Sequence, residues 1–251
     1  MGTPGGNSAT TATVNSSQWR VAEVLALRPE TPTARTLVLG LPHPVSHLPG
    51  QRYELRLTAT DGYQAARPYS AASPGDGQTR QLEITIAAVT AGEVSPYLFS
   101  QLRQGDQLEV RGPLGKFFVW QAADPEPLLL IGGGSGIAPL RCIWRVHAAV
   151  HSKAPLQLLY AARNYDDIIY RPELLADPAH VTITLSRDWP ADWPGARGRI
   201  SQELFAAALA KLPGTPRCYV CGMNAFVEVS TQALLRLGLP PSRIKTERYG
   251  A

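Results

Sequence analysis

The 251-residue sequence predicts an antiparallel β-barrel followed by a doubly wound parallel α/β domain. Three observations carry that expectation. Between residues 19 and 124, short runs of alternating apolar and polar residues recur, separated by turn signals. From residue 128 onward, apolar strand-like runs interleave with segments of helical periodicity, the pattern of a parallel sheet with helices on its faces. Between the two, Asp124-Pro-Glu-Pro127 fits neither pattern and reads as a linker. The expected division is therefore a leader at 1–17, a barrel domain at 18–124 and an α/β domain at 125–251.

In chain order, Met1 to Ser17 is rich in Gly, Ser, Thr and Ala, with no charge and no apolar h-region, so a disordered leader is expected rather than a signal peptide. Trp19 to Leu27 alternates, Thr36 to Leu39 is apolar, and Arg52 to Thr58 alternates cleanly. Asp61-Gly62 is a hairpin signal from which Tyr63 to Tyr69 returns, and Ser73-Pro-Gly-Asp-Gly77 makes the next turn. Leu82, Ile84 and Ile86 alternate with polar neighbours, Val94 to Leu102 reads as a short helix, and Gln107 to Val110 is one more strand. Many short strands at this spacing predict a closed or nearly closed barrel.

In the second half, Leu128-Leu-Leu-Ile-Gly-Gly-Gly-Ser-Gly-Ile-Ala-Pro139 stands out. Four apolar residues read as a strand buried on both faces. Glycines after such a strand let the backbone turn sharply and let a phosphate approach its N–H groups. Ile137, Leu140, Ile143, Trp144 and Val146 then recur at helical spacing, and Pro139 is tolerable in a first turn. The run lacks the Gly-Lys-Ser/Thr ending of a nucleoside-triphosphate loop, and it misses the third glycine of the strict dinucleotide fingerprint. A phosphate cradle and glycines that merely let helix and strand pack closely both remain open here. Further strands are expected at Leu156–Ala161, Val181–Leu185 and Cys218–Cys221, with helices near Pro172–Ala176, Gln202–Leu212 and Ala225–Leu237.

Composition narrows the function. Hydrophobic residues make up 44% and charged residues 18%, enough apolar mass for real cores. No apolar run approaches the roughly 20 residues that cross a bilayer, so no membrane partner is expected. Residues 1–124 hold 10 Lys and Arg against 10 Asp and Glu, while 125–251 hold 14 against 10. The excess in the half with the glycine loop favours a phosphate-bearing ligand or an acidic protein partner. No dense basic cluster with interleaved aromatics points to nucleic acid. Three cysteines do not make a disulfide framework, so a cytoplasmic setting is the expectation. Cys218-x-x-Cys221 lacks the further ligands of a zinc or iron–sulfur site, and His147 and His151, four apart on one helix, lack a third ligand, so no metal is expected.

A second stretch, Arg67-Pro68-Tyr69-Ser70, places a cation, an aromatic face and a hydroxyl at a strand end. Followed in order by Gly92-Glu-Val-Ser95, Gly132 to Pro139, Ser186-Arg187, Cys221-Gly222-Met223 and Glu247-Arg-Tyr249, it makes the chain resemble the ferredoxin–NADP reductase family from about Trp19 to Tyr249. The resemblance implies a flavin-binding barrel and an NAD(P)-binding α/β domain. FAD is the implied flavin, and NADPH, with NADH as the alternative, the implied reductant. Arg67 would pair with the flavin pyrophosphate, Pro68 and Tyr69 would line the ring with Tyr69 stacked on it, and Ser70 would hydrogen-bond near N5. Gly92, Glu93, Val94 and Ser95 would offer backbone N–H groups to the same pyrophosphate. Gly133, Gly134, Ser135, Gly136, Ile137 and Pro139 would cradle the nicotinamide dinucleotide, with Arg163 beside it and Ser186 and Arg187 at its 2′-phosphate. Cys221, Gly222 and Met223 would flank the nicotinamide, Glu247 would be the acid near the transfer site, and Tyr249 would cover the other flavin face until displaced. Plastid-type members end at this tyrosine, whereas here Gly250 and Ala251 follow. Ser70, Cys221 and Glu247 are the residues expected to shape hydride transfer.

Many relatives carry a plant-type iron–sulfur domain with C-x4-C-x2-C spacing, which this sequence lacks. The implied acceptor is therefore a separate protein, an acidic ferredoxin or an oxygenase or desaturase component, served by a monomeric reductase. The alternatives are an NAD(P)H reductase of small molecules such as free flavin or quinone, and a non-catalytic nucleotide-binding relay subunit.

Overall fold

A computed structural model describes residues 16–88 and 92–249, so most of the expected leader, together with Gly250 and Ala251, lies outside the described residues. The first half contains β1 (Arg20–Thr31), β2 (Ala34–Gly40), β3 (Ser46–His47), β4 (Arg52–Thr58), β5 (Gln64–Ser70), β6 (Gly75–Asp76), β7 (Gln81–Ala87), α1 (Val94–Ser100) and β8 (Gln107–Leu114). Six of these strands form an antiparallel sheet in the order β5-β4-β8-β1-β2-β7. Just beyond β5, Ala71 bridges Ile84, and the Ala72 N–H donates to the Glu83 carbonyl at 2.9 Å. The two edge strands thereby meet and the sheet closes, which removes exposed edges. Alternation does the rest: Leu82, Ile84 and Ile86 of β7 point inward with Val24, Leu37, Leu39, Leu55 and Val110 and are fully buried.

The turn expected at Ser73–Gly77 contains a short strand, β6, paired with β3. Gly75 permits this, because a Cβ there would sit 2.4 Å from His47 Nδ1.

The second half contains β9 (Leu128–Gly133), α2 (Ile137–Ala149), β10 (Leu156–Asn164), α3 (Arg171–Leu175), β11 (Val181–Asp188), β12 (Ala196–Arg197), α4 (Gln202–Ala210), β13 (Arg217–Met223), α5 (Asn224–Arg236) and β14 (Ile244–Tyr249). All six strands are parallel, in the order β12-β11-β10-β9-β13-β14. β9 is buried throughout, with Leu128 and Leu130 in one core and Leu129 and Ile131 in the core on the opposite face. Strand order reverses beside β9, and open α/β sheets bind ligands at the carboxyl ends of the strands at such a switch point.

The halves are joined by a buried polar network. Arg141 of α2 bonds Glu83 of β7 at 2.7 Å and Glu173 of α3 at 2.7 Å, while Arg28 of β1 also holds Glu83 at 2.7 Å. Tyr170, with a left-handed φ of 58°, lies beneath the Arg141 guanidinium and hydrogen-bonds Thr85 of β7. At the other end of the contact, Tyr219 Oη and Lys245 Nζ both donate to the Val119 carbonyl at 2.9 Å.

Candidate active site

A cleft of about 840 Å³ opens between the barrel and the carboxyl ends of β13 and β14, within the size range of small-molecule sites. Arg67, Pro68, Tyr69 and Ser70 reach it from the end of β5, and Gly92, Glu93, Val94 and Ser95 from the start of α1. Ser135 and Pro139 come from the glycine segment and α2, Cys221 from β13, and Glu247 and Tyr249 from β14. Thirteen positions singled out from sequence thus share one cleft.

At its base, Ser70 Oγ donates to Glu247 Oε2 at 3.3 Å. The β13–β14 register sets Cys221 beside Glu247. Burial pushes the Glu247 carboxyl above its ordinary value, partly offset by Arg52 and by the Ser70 hydroxyl. Burial, with the Glu247 charge adding to it, also pushes the Cys221 thiol well up, so it stays neutral. A neutral, buried thiol is a poor nucleophile, which argues against covalent catalysis here. Tyr69 packs against the barrel core, and burial pushes its phenol up to about 12. Arg67 is half exposed and faces Glu93 at 3.7 Å.

At several positions the glycines are needed for close packing, whichever of the two readings holds. A Cβ on Gly133 would meet the Phe226 ring at 2.8 Å, and one on Gly136 would meet the Cys221 carbonyl oxygen at 2.2 Å. Gly134 adopts φ +55°, the left-handed turn. Ile137 is fully buried in the core and does not line the cleft. The loop's polar backbone faces Tyr249, whose hydroxyl donates to the Gly133 carbonyl at 2.5 Å and accepts the Gly136 N–H at 3.0 Å.

Arg163, Ser186 and Arg187 stand apart from the cleft, at the carboxyl ends of the adjacent strands β10 and β11. Ser186 Oγ donates to the Ala162 carbonyl at 3.3 Å, and Arg187 is exposed. β11 runs to Asp188, whose carboxylate accepts the Trp189 N–H at 3.0 Å. Gly222 and Met223 end β13: a Cβ on Gly222 would meet Phe226 at 2.6 Å, and Met223 is exposed. The strand period puts Cys218 and Cys221 on opposite faces of the sheet, in different cores, so they share no site. His147 Nε2 is taken up by the Ala154 carbonyl at 2.7 Å.

Arg52, Thr85, Lys116, Phe117 and Phe118 also line the cleft and were not singled out. Arg52 sits in a cleanly alternating strand, where a cation reads as the solvent face. Lys116 and Phe117 follow a strand end whose signal is only the glycine at 115, with φ +94°.

The matches to known proteins agree with this geometry. Residues 25–119 match the oxidoreductase FAD-binding domain and residues 130–232 the oxidoreductase NAD-binding domain. The chain is 34% identical over 241 residues to ferredoxin–NADP reductase B of Sorangium cellulosum, covering 91% of this chain and 96% of that protein. It is 32% identical over 232 residues to the reductase component of the naphthalene 1,2-dioxygenase/salicylate 5-hydroxylase systems of a Ralstonia species, covering 90% and 67%. An Amycolatopsis cytochrome P450 reductase superposes with a TM-score of 0.78 at 29% identity, covering 92% of this chain and 69% of that one. A Neisseria gonorrhoeae ferredoxin NADP+ reductase with bound FAD and NADP shares the fold, with a TM-score of 0.79 at 22% identity, covering 92% and 99%. The barrel, the parallel sheet and the cleft between them are therefore those of the ferredoxin–NADP reductase family, to which this chain belongs as an FAD-dependent oxidoreductase passing electrons from NAD(P)H to a separate acceptor.

Proposed function

We propose that the chain is an NADPH-dependent reductase of an acidic ferredoxin or oxygenase component, working as a cytoplasmic monomer, with the barrel at 18–124 and the nucleotide domain at 125–251. The observation that carries the site assignment is the convergence of Arg67, Tyr69, Ser70, Cys221, Glu247 and Tyr249, from both halves of the chain, on one cleft. The residues there fit FAD. Tyr69 offers an aromatic face backed by the barrel core, Ser70 a hydroxyl beside it, and Arg67 a half-exposed cation at the end of the cleft where the segment 92–95 enters α1.

Bound FAD supplies the exchange between hydride and single-electron chemistry. The protein's part is to bind, orient and screen. Arg67 would neutralise the flavin's diphosphate, and Tyr69, backed by the barrel core, would support its ring. Ser70 would offer its hydroxyl to the ring, and Glu247 accepts that hydroxyl's hydrogen bond when the ring does not. Cys221, small and neutral, leaves room for a nicotinamide against the ring. Ser186 and Arg187, with Arg163 on the adjoining strand, lie at the carboxyl ends of β10 and β11, where open α/β sheets bind ligands, and guanidinium groups there suit a ribose phosphate, which supports NADPH over NADH. Relatives named as components of dioxygenase systems and as an aromatic O-demethylase reductase subunit support a protein acceptor. The basic balance of the second half supports an acidic one.

The test is a stopped-flow comparison of flavin bleaching by NADPH and by NADH, followed by a screen of acceptors at two ionic strengths. The expected result is faster bleaching with NADPH and salt-sensitive electron delivery to an acidic iron–sulfur protein. Protein that cannot be reconstituted with FAD refutes the reading outright. Flavin binding without bleaching points to a relay subunit, and turnover only with free flavin or quinone to a small-molecule reductase.

A further inference from the structure

Arg52 is drawn into the cleft from a strand whose alternation assigns it to solvent. Its Nη1 lies 3.4 Å from Glu247 Oε1, an ion pair between residues 195 positions apart that ties the barrel to the last strand of the α/β sheet. The β4–β5 register pairs Arg52 with Ser70, so the two side chains arrive at the carboxylate together, the guanidinium on one oxygen and the hydroxyl on the other. Gly115 leaves room for this: a Cβ there would stand 3.2 Å from Arg52 Nη1. The carboxylate is the more enclosed partner, 18% exposed against 43% for the Arg52 side chain. Among the described residues, Arg52 is the one cation within 4.0 Å of Glu247. The other polar and charged residues that line the same cleft are Arg67, Tyr69 and Ser70 of β5, Thr85 of β7, Glu93 and Ser95 at the start of α1, Lys116 after β8, Ser135 after β9, Cys221 of β13, and Thr246, Arg248 and Tyr249 of β14 itself.

We propose that Arg52 is a positioning residue that holds Glu247 as a carboxylate and so decides which way the Ser70 hydroxyl points. While Glu247 is ionised, the single Ser70 proton is committed to it. Once Glu247 takes up a proton, the carboxyl becomes the donor, and the Ser70 proton is free to turn toward the ring site. Arg52 favours the first state electrostatically, against a burial cost that favours the second. It cannot itself accept the proton, since a guanidinium carries N–H donors and no acceptor. Its effect runs wholly through Glu247. This rests on the reading that Ser70 and Glu247 serve hydride transfer.

The experiment titrates the Glu247 carboxyl directly by 13C NMR in flavin-loaded protein labelled at the Glu side-chain carboxyl, its signal identified by its loss in Glu247→Gln. In Arg52→Gln, the titration moves to higher pH by about one unit, the low end for losing an opposite charge at this distance because the guanidinium is partly hydrated. Arg52→Lys recovers most of the shift. The pH profile of flavin reduction moves by the same amount and in the same direction. Should Arg52→Gln not fold, Arg52→Met, which keeps the aliphatic stem and drops the charge, takes its place. An unmoved Glu247 titration, or an Arg52→Lys variant no different from the neutral one, overturns the proposal. So does a rate loss equal at every pH, which is the mark of a merely structural residue. The carboxyl titration reads the ion pair whether or not NADPH reduces the flavin, so failure of the functional reading and failure of this proposal are told apart.

Discussion

Arg141 is the clearest place to test whether the contact between barrel and α/β sheet is a structural load or a passive seam. Its side chain is 6% exposed and bonds two carboxylates, Glu83 across the contact and Glu173 on α3, each at 2.7 Å. The same guanidinium covers the Tyr170 ring at 4.1 Å and donates to the Ala72 carbonyl at 3.2 Å. Arg141→Ala removes all four contacts. Taking one partner from a buried ion pair costs about 3–5 kcal/mol, because the remaining charge is left desolvated. Here Glu83 retains Arg28 at 2.7 Å and Glu173 retains Arg145 at 2.5 Å, so neither carboxylate is orphaned. The cost therefore falls at the low end, about 3 kcal/mol, which for a chain of this size lowers Tm by roughly 6–12 °C. Burial raises the Glu83 and Glu173 carboxyls, but the arginines around them outweigh it and hold both below the ordinary value. Carboxyls lowered in the fold stabilise it above the unfolded value and cease to do so as pH falls through the folded one. The gap between wild type and Arg141→Ala should thus be widest near neutral pH and close in acid. Calorimetry across that range checks both statements. A Tm drop below about 2 °C, the scale of an exposed pair, or a gap that widens in acid, refutes the reasoning.

Three further outcomes follow from the site. Ser70→Ala should keep FAD bound through Arg67 and Tyr69 yet slow reduction by NADPH about 10²-fold, the usual loss for a hydrogen-bond donor aimed at a reacting centre; unchanged single-turnover bleaching would remove Ser70 from the chemistry. Tyr249→Phe frees the Gly136 N–H and the Gly133 carbonyl for a ligand, so NADP+ should bind about 5-fold more tightly by calorimetry, from one net hydrogen bond of about 1 kcal/mol no longer displaced. Unaltered or weaker binding would show that the hydroxyl does not compete with the dinucleotide. Gly136→Ala forces a Cβ against the Cys221 carbonyl, and because that neighbour is backbone it should lower stability by about 1–3 kcal/mol; an unchanged melting curve would mean the glycine is not there for packing.

Much of this was legible along the chain, and the reasons differ by element. The β7 strand declared itself because Leu82, Ile84 and Ile86 repeat at period two and all point into one core. β9 declared itself because a strand buried on both faces has no polar position to interrupt it. The site motifs were legible as a set, since thirteen of the named positions reach one cleft. The glycine segment was legible as a bend but not in what packs against it: Gly133 and Gly136 face Phe226 and the Cys221 carbonyl, which lie about 90 residues away in sequence. β6 hid in a turn signal because its partner, the two-residue β3, carries no periodicity of its own. The Cys218-x-x-Cys221 spacing looked like a paired site, yet on a strand an offset of three puts the thiols on opposite faces.

What the amino-acid sequence determines by itself is local and periodic: which runs are strands or helices, where the chain bends, and which short motifs carry charge, ring or hydroxyl. Those properties depend on neighbours within a few residues, so they survive in one dimension. Only the tertiary structure decides which of these groups meet. Nothing in a linear reading pairs Arg52 with Glu247, places Tyr170 beneath Arg141, or seats the Tyr249 hydroxyl on the glycine loop. Each of those contacts depends on barrel closure and on the order of strands in the parallel sheet. That order brings the end of β14 next to β13 and opposite β5, and so puts an acid, a thiol and a serine around one cleft.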